Sequence, residues 1–113
     1  MKVETVHRFL LSLPDVEEYE HGGLPSFRVH GKRFASMLDA DGVNLMPGDE
    51  TIRSAVQEWP KWCDEERMGS KLVAVRVKIR SVRKSVLEEL AEEAWASKAP
   101  KTLVRRHNGE SAD

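Results

Sequence analysis

Cysteine is almost missing from this chain of 113 residues: Cys63 stands alone, so no internal disulfide can form, and a reducing, cytoplasmic setting is expected. No apolar run approaches the roughly 18 residues that a membrane span requires. The opening Met1-Lys-Val-Glu-Thr5 has no signal-peptide core. Aromatic residues make up only 6% of the chain, and the net charge is close to zero at −1. That balance argues against a strongly nucleic-acid-binding protein as a whole. Paired Cys-x-x-Cys spacing is absent, and His7, His21, His30 and Cys63 are too scattered for a zinc signature, so no metal is expected. Nothing beside Cys63 in sequence suggests a base that would make it a nucleophile. No motif supplies catalytic residues, so neither an enzyme nor a cofactor is expected.

What the chain does contain is 40% apolar and 33% charged residues, the composition of one globular domain that can bury its own core. The charge is unevenly placed. Residues 71–84 carry +6, whereas 1–46 carry −2, 47–70 carry −3 and 85–113 carry −2. The positive stretch is Lys71-Leu-Val-Ala-Val-Arg-Val-Lys-Ile-Arg80. In a strand, successive side chains point to opposite faces, which places Val73, Val75, Val77 and Ile79 on an oily side and Arg76, Lys78 and Arg80 on a cationic one. Such a strand belongs in an antiparallel sheet with helices on one face and the other face open.

The remaining elements follow from periodicity. Val3, Val6, Phe9, Leu10 and Leu13 predict a helix over 2–13, stopped by Pro14. Asp15 to His21 reads as a short edge strand or an irregular arm. A three-stranded meander follows: Phe27 and Val29 inward, a Gly31-Lys32 turn, then Phe34, Ser36 and Leu38 set against Ala35 and Met37. Asp41-Gly42 turns the chain into Val43 and Leu45. Asp49 is expected to cap a second helix carrying Ile52, Ala55, Val56 and Trp59 up to Pro60. Residues 61–70 have no clear period; a short strand through Trp62 and Cys63 leading into an acidic turn is the expectation. Ser81 or Ser85 is expected to cap a last helix with Val82, Val86, Leu90 and Ala94 on one side, with Ser85-Val-Leu-Glu88 fitting a capping box. From Arg105 to Asp113 a frayed tail is expected.

The order α-β-β-β-α-β(-β)-α predicts an α+β two-layer sandwich, an antiparallel sheet with helices on one face. Three segments carry a resemblance: Leu11-Ser-Leu-Pro-Asp-Val16, Pro25-Ser-Phe-Arg-Val-His-Gly-Lys-Arg-Phe-Ala35 and Ala94-Trp-Ala-Ser-Lys-Ala-Pro-Lys-Thr-Leu103. Together they resemble the MmcQ/YjbR family in order and over almost the whole chain. The sequence departs from that family before the last strand, where Trp62-Cys-Asp-Glu-Glu-Arg-Met-Gly-Ser-Lys71 stands in place of a Gly-Tyr-x-x-Asn-Lys-x-x-Trp-like motif. The resemblance implies a secretion-chaperone-like fold over 1–104, a DNA-binding role and no catalytic residues.

The candidate site is the outward cationic set Arg28, His30, Lys32, Arg33, Arg76, Lys78, Arg80, Arg83 and Lys84. On one sheet face these would neutralise phosphates without reading base sequence. The alternative is a protein-interaction module that recruits a partner, or a second copy of itself, on the same open sheet. Asp39-Ala-Asp-Gly42 has the opening of a calcium loop, but turn chemistry is the simpler reading. Trp59, Trp62 and Trp95 either stack ligands or half-bury in the core, and Glu88, Glu89, Glu92 and Glu93 form a solvated helix side.

Overall fold

The computed structural model describes residues 1–39 and 41–109. The chain runs α1 (Val3–Ser12), β1 (Val16–His21), β2 (Leu24–Val29), β3 (Lys32–Asp39), β4 (Gly42–Leu45), α2 (Asp49–Glu58), β5 (Cys63–Met68), β6 (Lys71–Lys78), α3 (Lys84–Lys98) and α4 (Lys101–His107). The six strands form one sheet in the order β1-β2-β3-β4-β6-β5, and each neighbouring pair is antiparallel. This is the expected α+β sandwich, with the N-terminal arm as a full edge strand and α4 as an added helix. No helix of the described residues is long and apolar enough to cross a membrane.

The hairpins are set by residues that tolerate positive φ. Gly22 and Gly23 lie at 60° and 82°, and His30 and Gly31 at 48° and 80°, the pair of left-handed positions that two-residue hairpin turns need. The second turn therefore falls one residue earlier than Gly31-Lys32. On the helix side the sheet presents Phe27, Val29, Ala35, Met37, Val43, Leu45, Val75, Val77 and Ile79 to Val6, Leu10, Ile52, Leu87, Leu90 and Trp95, all buried in one core. Each such side chain contributes roughly 1.5–3 kcal/mol on burial. That supplies the force holding the helical layer down.

Three β-bulges interrupt the ladders, with Phe34 and Leu38 of β3 and Val73 of β6 as the extra residues, and those at Phe34 and Val73 reassign side chains that simple alternation misplaces. Between β2 and β3, Phe27 faces Ala35 and Arg28 faces Arg33, leaving Phe34 as the extra residue. Phe34 and Ala35 are then both buried in the core with Met37, while Ser36 and Leu38, expected to point inward, lie outside the core cluster. Between β5 and β6, Glu66 faces Ala74 and Arg67 faces Leu72, so Val73 is the extra residue. Leu72 joins the core and Val73 leaves it, the reverse of the alternating pattern. A bulge inserts one residue and so exchanges the faces beyond it.

The acidic stretch after Cys63 is a strand rather than a turn: Asp64, Glu65 and Glu66 lie in β5 and pair with β6. Capping also differs from expectation. Gly48, not Asp49, sits at the N-cap of α2, and Arg83 at that of α3, neither with a side-chain cap, so Ser81 caps nothing there and the Ser85–Glu88 box is not formed. Pro100 restarts the chain as α4, which carries Arg105 to His107 in its last turn. The remainder of the expected tail, residues 110–113, lies outside the described residues, as does Ala40 of the Asp39-Ala-Asp-Gly42 turn.

The open sheet face as a candidate site

Strand register decides what the open face carries. One row crosses all six strands: Tyr19, Ser26, Ser36, Asn44, Arg76 and Asp64, each opposite the next. The middle of the row is small and polar. Ser26 and Ser36 are buried, with their hydroxyl oxygens 3.1 Å apart, and Ser26 also donates to the Leu24 carbonyl at 3.3 Å. Beside them the Asn44 side-chain carbonyl oxygen is buried with no hydrogen-bond partner among the described residues. An orphaned acceptor of this kind costs about 1–3 kcal/mol.

Gly42, one step along β4, has a structural reason to be glycine. The Arg76 guanidinium lies directly over it, and a Cβ there would meet Arg76 Cζ at 2.7 Å. From that position Arg76 reaches the Asp39 carboxylate at 3.4 Å. Asp39 also accepts the Asp41 backbone N–H at 2.8 Å. That hydrogen bond, more than the Arg76 guanidinium, holds its carboxyl below the ordinary carboxylate range. The Asp39–Asp41 turn is thus a side-chain-to-backbone turn whose two carboxylates are occupied by arginines, Asp41 pairing with Arg80 at 2.6 Å. Among the described residues no group of three or more histidine, cysteine, aspartate or glutamate side chains is placed to hold a metal ion.

The nine expected cations are not brought together on one surface. Arg28, Arg33, Arg76 and Lys78 share the open face by register. Lys32 sits opposite Val29 and so falls on the helix side. His30 lies in the β2–β3 turn, where its Nε2 is 2.8 Å from Asp15. Arg80, Arg83 and Lys84 follow the end of β6. Even the four on the face are divided. Arg28 on β2 and Arg76 on β6 are separated by β3 and β4, about 14 Å at the usual spacing of neighbouring strands.

Sequence reasoning missed the carboxylates between them. Glu17, Asp39, Asp64 and Glu66 occupy the same face by register, four anions among these cations, with Lys71, opposite Met68, a fifth cation at the end of the sheet. Arg28 is held at 2.6 Å by Glu17 and lies 4.3 Å from the Tyr19 ring centre, and Arg76 is held by Asp39. The acids were visible as residues, but their placement opposite the arginines needs strand pairing between β1 and β2 and between β5 and β6. Cys63, also in β5, is buried in the core, and burial pushes its thiol up to about 11, leaving it protonated and unreactive at neutral pH.

The chain is therefore an α+β protein with an open, polar antiparallel sheet face on which both charge signs are interleaved. Comparison with protein-family models, with curated proteins and with solved structures gave no match.

Proposed function

We propose that this protein is a non-enzymatic interaction module that recruits a polypeptide, a second copy of the chain in the first instance, onto its open sheet face. One observation carries the reading: the cations of that face stand among four carboxylates, Glu17 holding Arg28 and Asp39 holding Arg76, so the face is not a continuous basic surface for phosphates. A face that carries both signs can set its cations against the carboxylates of a second copy across a two-fold axis, the arrangement by which homodimers most often form. Tyr19, Leu24 and Leu38, half-buried around the serine pair, supply apolar contact area. The resemblance to MmcQ/YjbR proteins, with the secretion-chaperone-like fold it implies, is compatible with this role.

DNA binding remains the second reading, and the feature that favours it is the exit from β6. Lys78, Arg80, Arg83 and Lys84 succeed one another there, and the ion pair among them is Arg80 with Asp41. Sedimentation velocity over a range of protein concentrations, run beside fluorescence anisotropy with labelled duplex DNA, separates the two. The interaction reading expects concentration-dependent association that Leu24→Glu abolishes in a folded protein, and weak or no DNA binding. A monomer at all concentrations, together with DNA binding that falls steeply with salt and is lost in the Arg76→Ala, Lys78→Ala, Arg80→Ala variant, would reverse the order.

A further inference from the structure

On the other side of the molecule, the joint between α2 and β5 forms a cleft of about 250 Å³ lined by Glu58, Trp59, Pro60, Lys61 and Trp62. Both tryptophans are half-buried: they pack on the core and still present part of their indole surface to solvent. Sharing Glu58 and Trp59 with this cleft is a groove of about 240 Å³ between α2 and α3, floored by Ala55 and Leu90 and walled by Glu50, Glu89 and Glu93. None of these four glutamates takes part in an ion pair among the described residues. This contrasts with the open face, where carboxylates and cations are interleaved.

Two independent chemistries here favour the same kind of ligand. Indole faces attract cations through the ring quadrupole, and Trp62 already holds the Arg83 guanidinium 5.5 Å from its ring centre, although Arg83 is not one of the cleft-lining residues. The unpaired carboxylates next door attract the same charge through space. Both hollows are smaller than the roughly 300–1,000 Å³ of small-molecule pockets, and their size suits successive side chains of a peptide. We propose that the Trp59–Trp62 cleft and the adjoining α2–α3 groove dock a lysine- and arginine-rich segment of a partner protein. The apolar stems of such side chains lie on indole and Leu90 while their charged ends meet the glutamates. This surface is separate from the open sheet face, so neither reading depends on the other.

The test is fluorescence anisotropy with a fluorescein-labelled lysine- and arginine-rich peptide and a matched glutamate-rich peptide. Three variants are compared with the natural chain, each checked for folding by circular dichroism. Reversal of the groove in Glu58→Lys, Glu89→Lys, Glu93→Lys is expected to weaken the basic peptide by about tenfold or more. Trp62→Leu is expected to weaken it about threefold, in line with one cation–aromatic contact. Reversal of equal size on α1 and the β1 edge, Glu4→Lys, Glu18→Lys, Glu20→Lys, is expected to leave affinity within about twofold. The proposal is overturned if the edge variant loses as much affinity as the groove variant, since the attraction is then unspecific charge. It is also overturned if neither groove nor Trp62 variant changes binding, or if the glutamate-rich peptide binds as well.

Discussion

The guanidinium of Arg76 lies across Gly42 and reaches Asp39 on the far side of β4, tying β6 to β3 over an intervening strand that has no side chain at that point. Gly42→Ala places a methyl group where the guanidinium rests. Because the obstacle is the flexible end of a side chain, Arg76 swings aside and the fold survives, with a stability change within about 1 kcal/mol. The contact with Asp39 is lost. Asp39 nevertheless keeps a lowered pKa, both here and in Arg76→Gln, because the Asp41 N–H is the larger cause. Its folded pKa lies below the unfolded value, so its contribution to stability is present above about pH 4 and disappears as the pH falls through the folded pKa. Carboxyl-detected NMR titration measures this directly; a full return of Asp39 to the ordinary value in Arg76→Gln would show that the turn does not act as described.

Asn44 offers a separate test of whether the open face is kept polar at the expense of stability. Its buried carbonyl oxygen has no partner among the described residues, so Asn44→Val removes an unsatisfied acceptor and adds a strand-favouring side chain. Stability is expected to rise by about 1 kcal/mol in urea unfolding, or at least not to fall. A loss of more than about 1 kcal/mol would mean that Asn44 is satisfied in the folded protein.

The bulge in β6 predicts an inversion of the usual alternation. Leu72→Ala should cost about 2–4 kcal/mol, the ordinary range for a buried leucine, and Val73→Ala under about 1 kcal/mol. Chemical denaturation of the two variants side by side decides it, and a costlier Val73 variant would restore the simple pattern.

Cys63 predicts a change at alkaline pH. Its thiol ionises at about 9 when exposed and about 11 in the core, burial being the main cause and the neighbouring Asp64 charge the lesser. The folded pKa is raised, so the stabilisation is intact below about pH 9 and is lost as pH climbs toward about 11, a fall of roughly 2–3 kcal/mol. In Cys63→Ala this part of the pH dependence should vanish. Thiol reagents at pH 7 should label the native protein far more slowly than the urea-unfolded chain. Equal labelling rates would contradict the burial.

Much of the fold was legible because local pattern and final burial agree. Val75, Val77 and Ile79, or Val6, Leu10 and Leu13, repeat at the period of the element they form and have no competing arrangement. Several of the readings that failed are those in which one residue changes the register. Phe34 and Val73 sit at bulges, and a bulge leaves no mark in composition, since it exists only as a mismatch between two strands. The cationic set is divided for a related reason. Arg76, Lys78 and Arg80 do alternate as a strand requires, but whether they stand free depends on Asp64, Asp39 and Asp41, which lie 12 to 39 residues away in the chain.

By itself the sequence determined the first three helices, the turn beside Gly31, the oily side of the last strand and the single cysteine's isolation, because each depends on neighbours within a few residues. Only the tertiary structure decided the charge of the open face, the acidic groove beside Trp59 and the burial of Cys63. Those properties arise where distant strands and helices meet, and Coulomb interactions and packing act across that spatial distance regardless of separation along the chain.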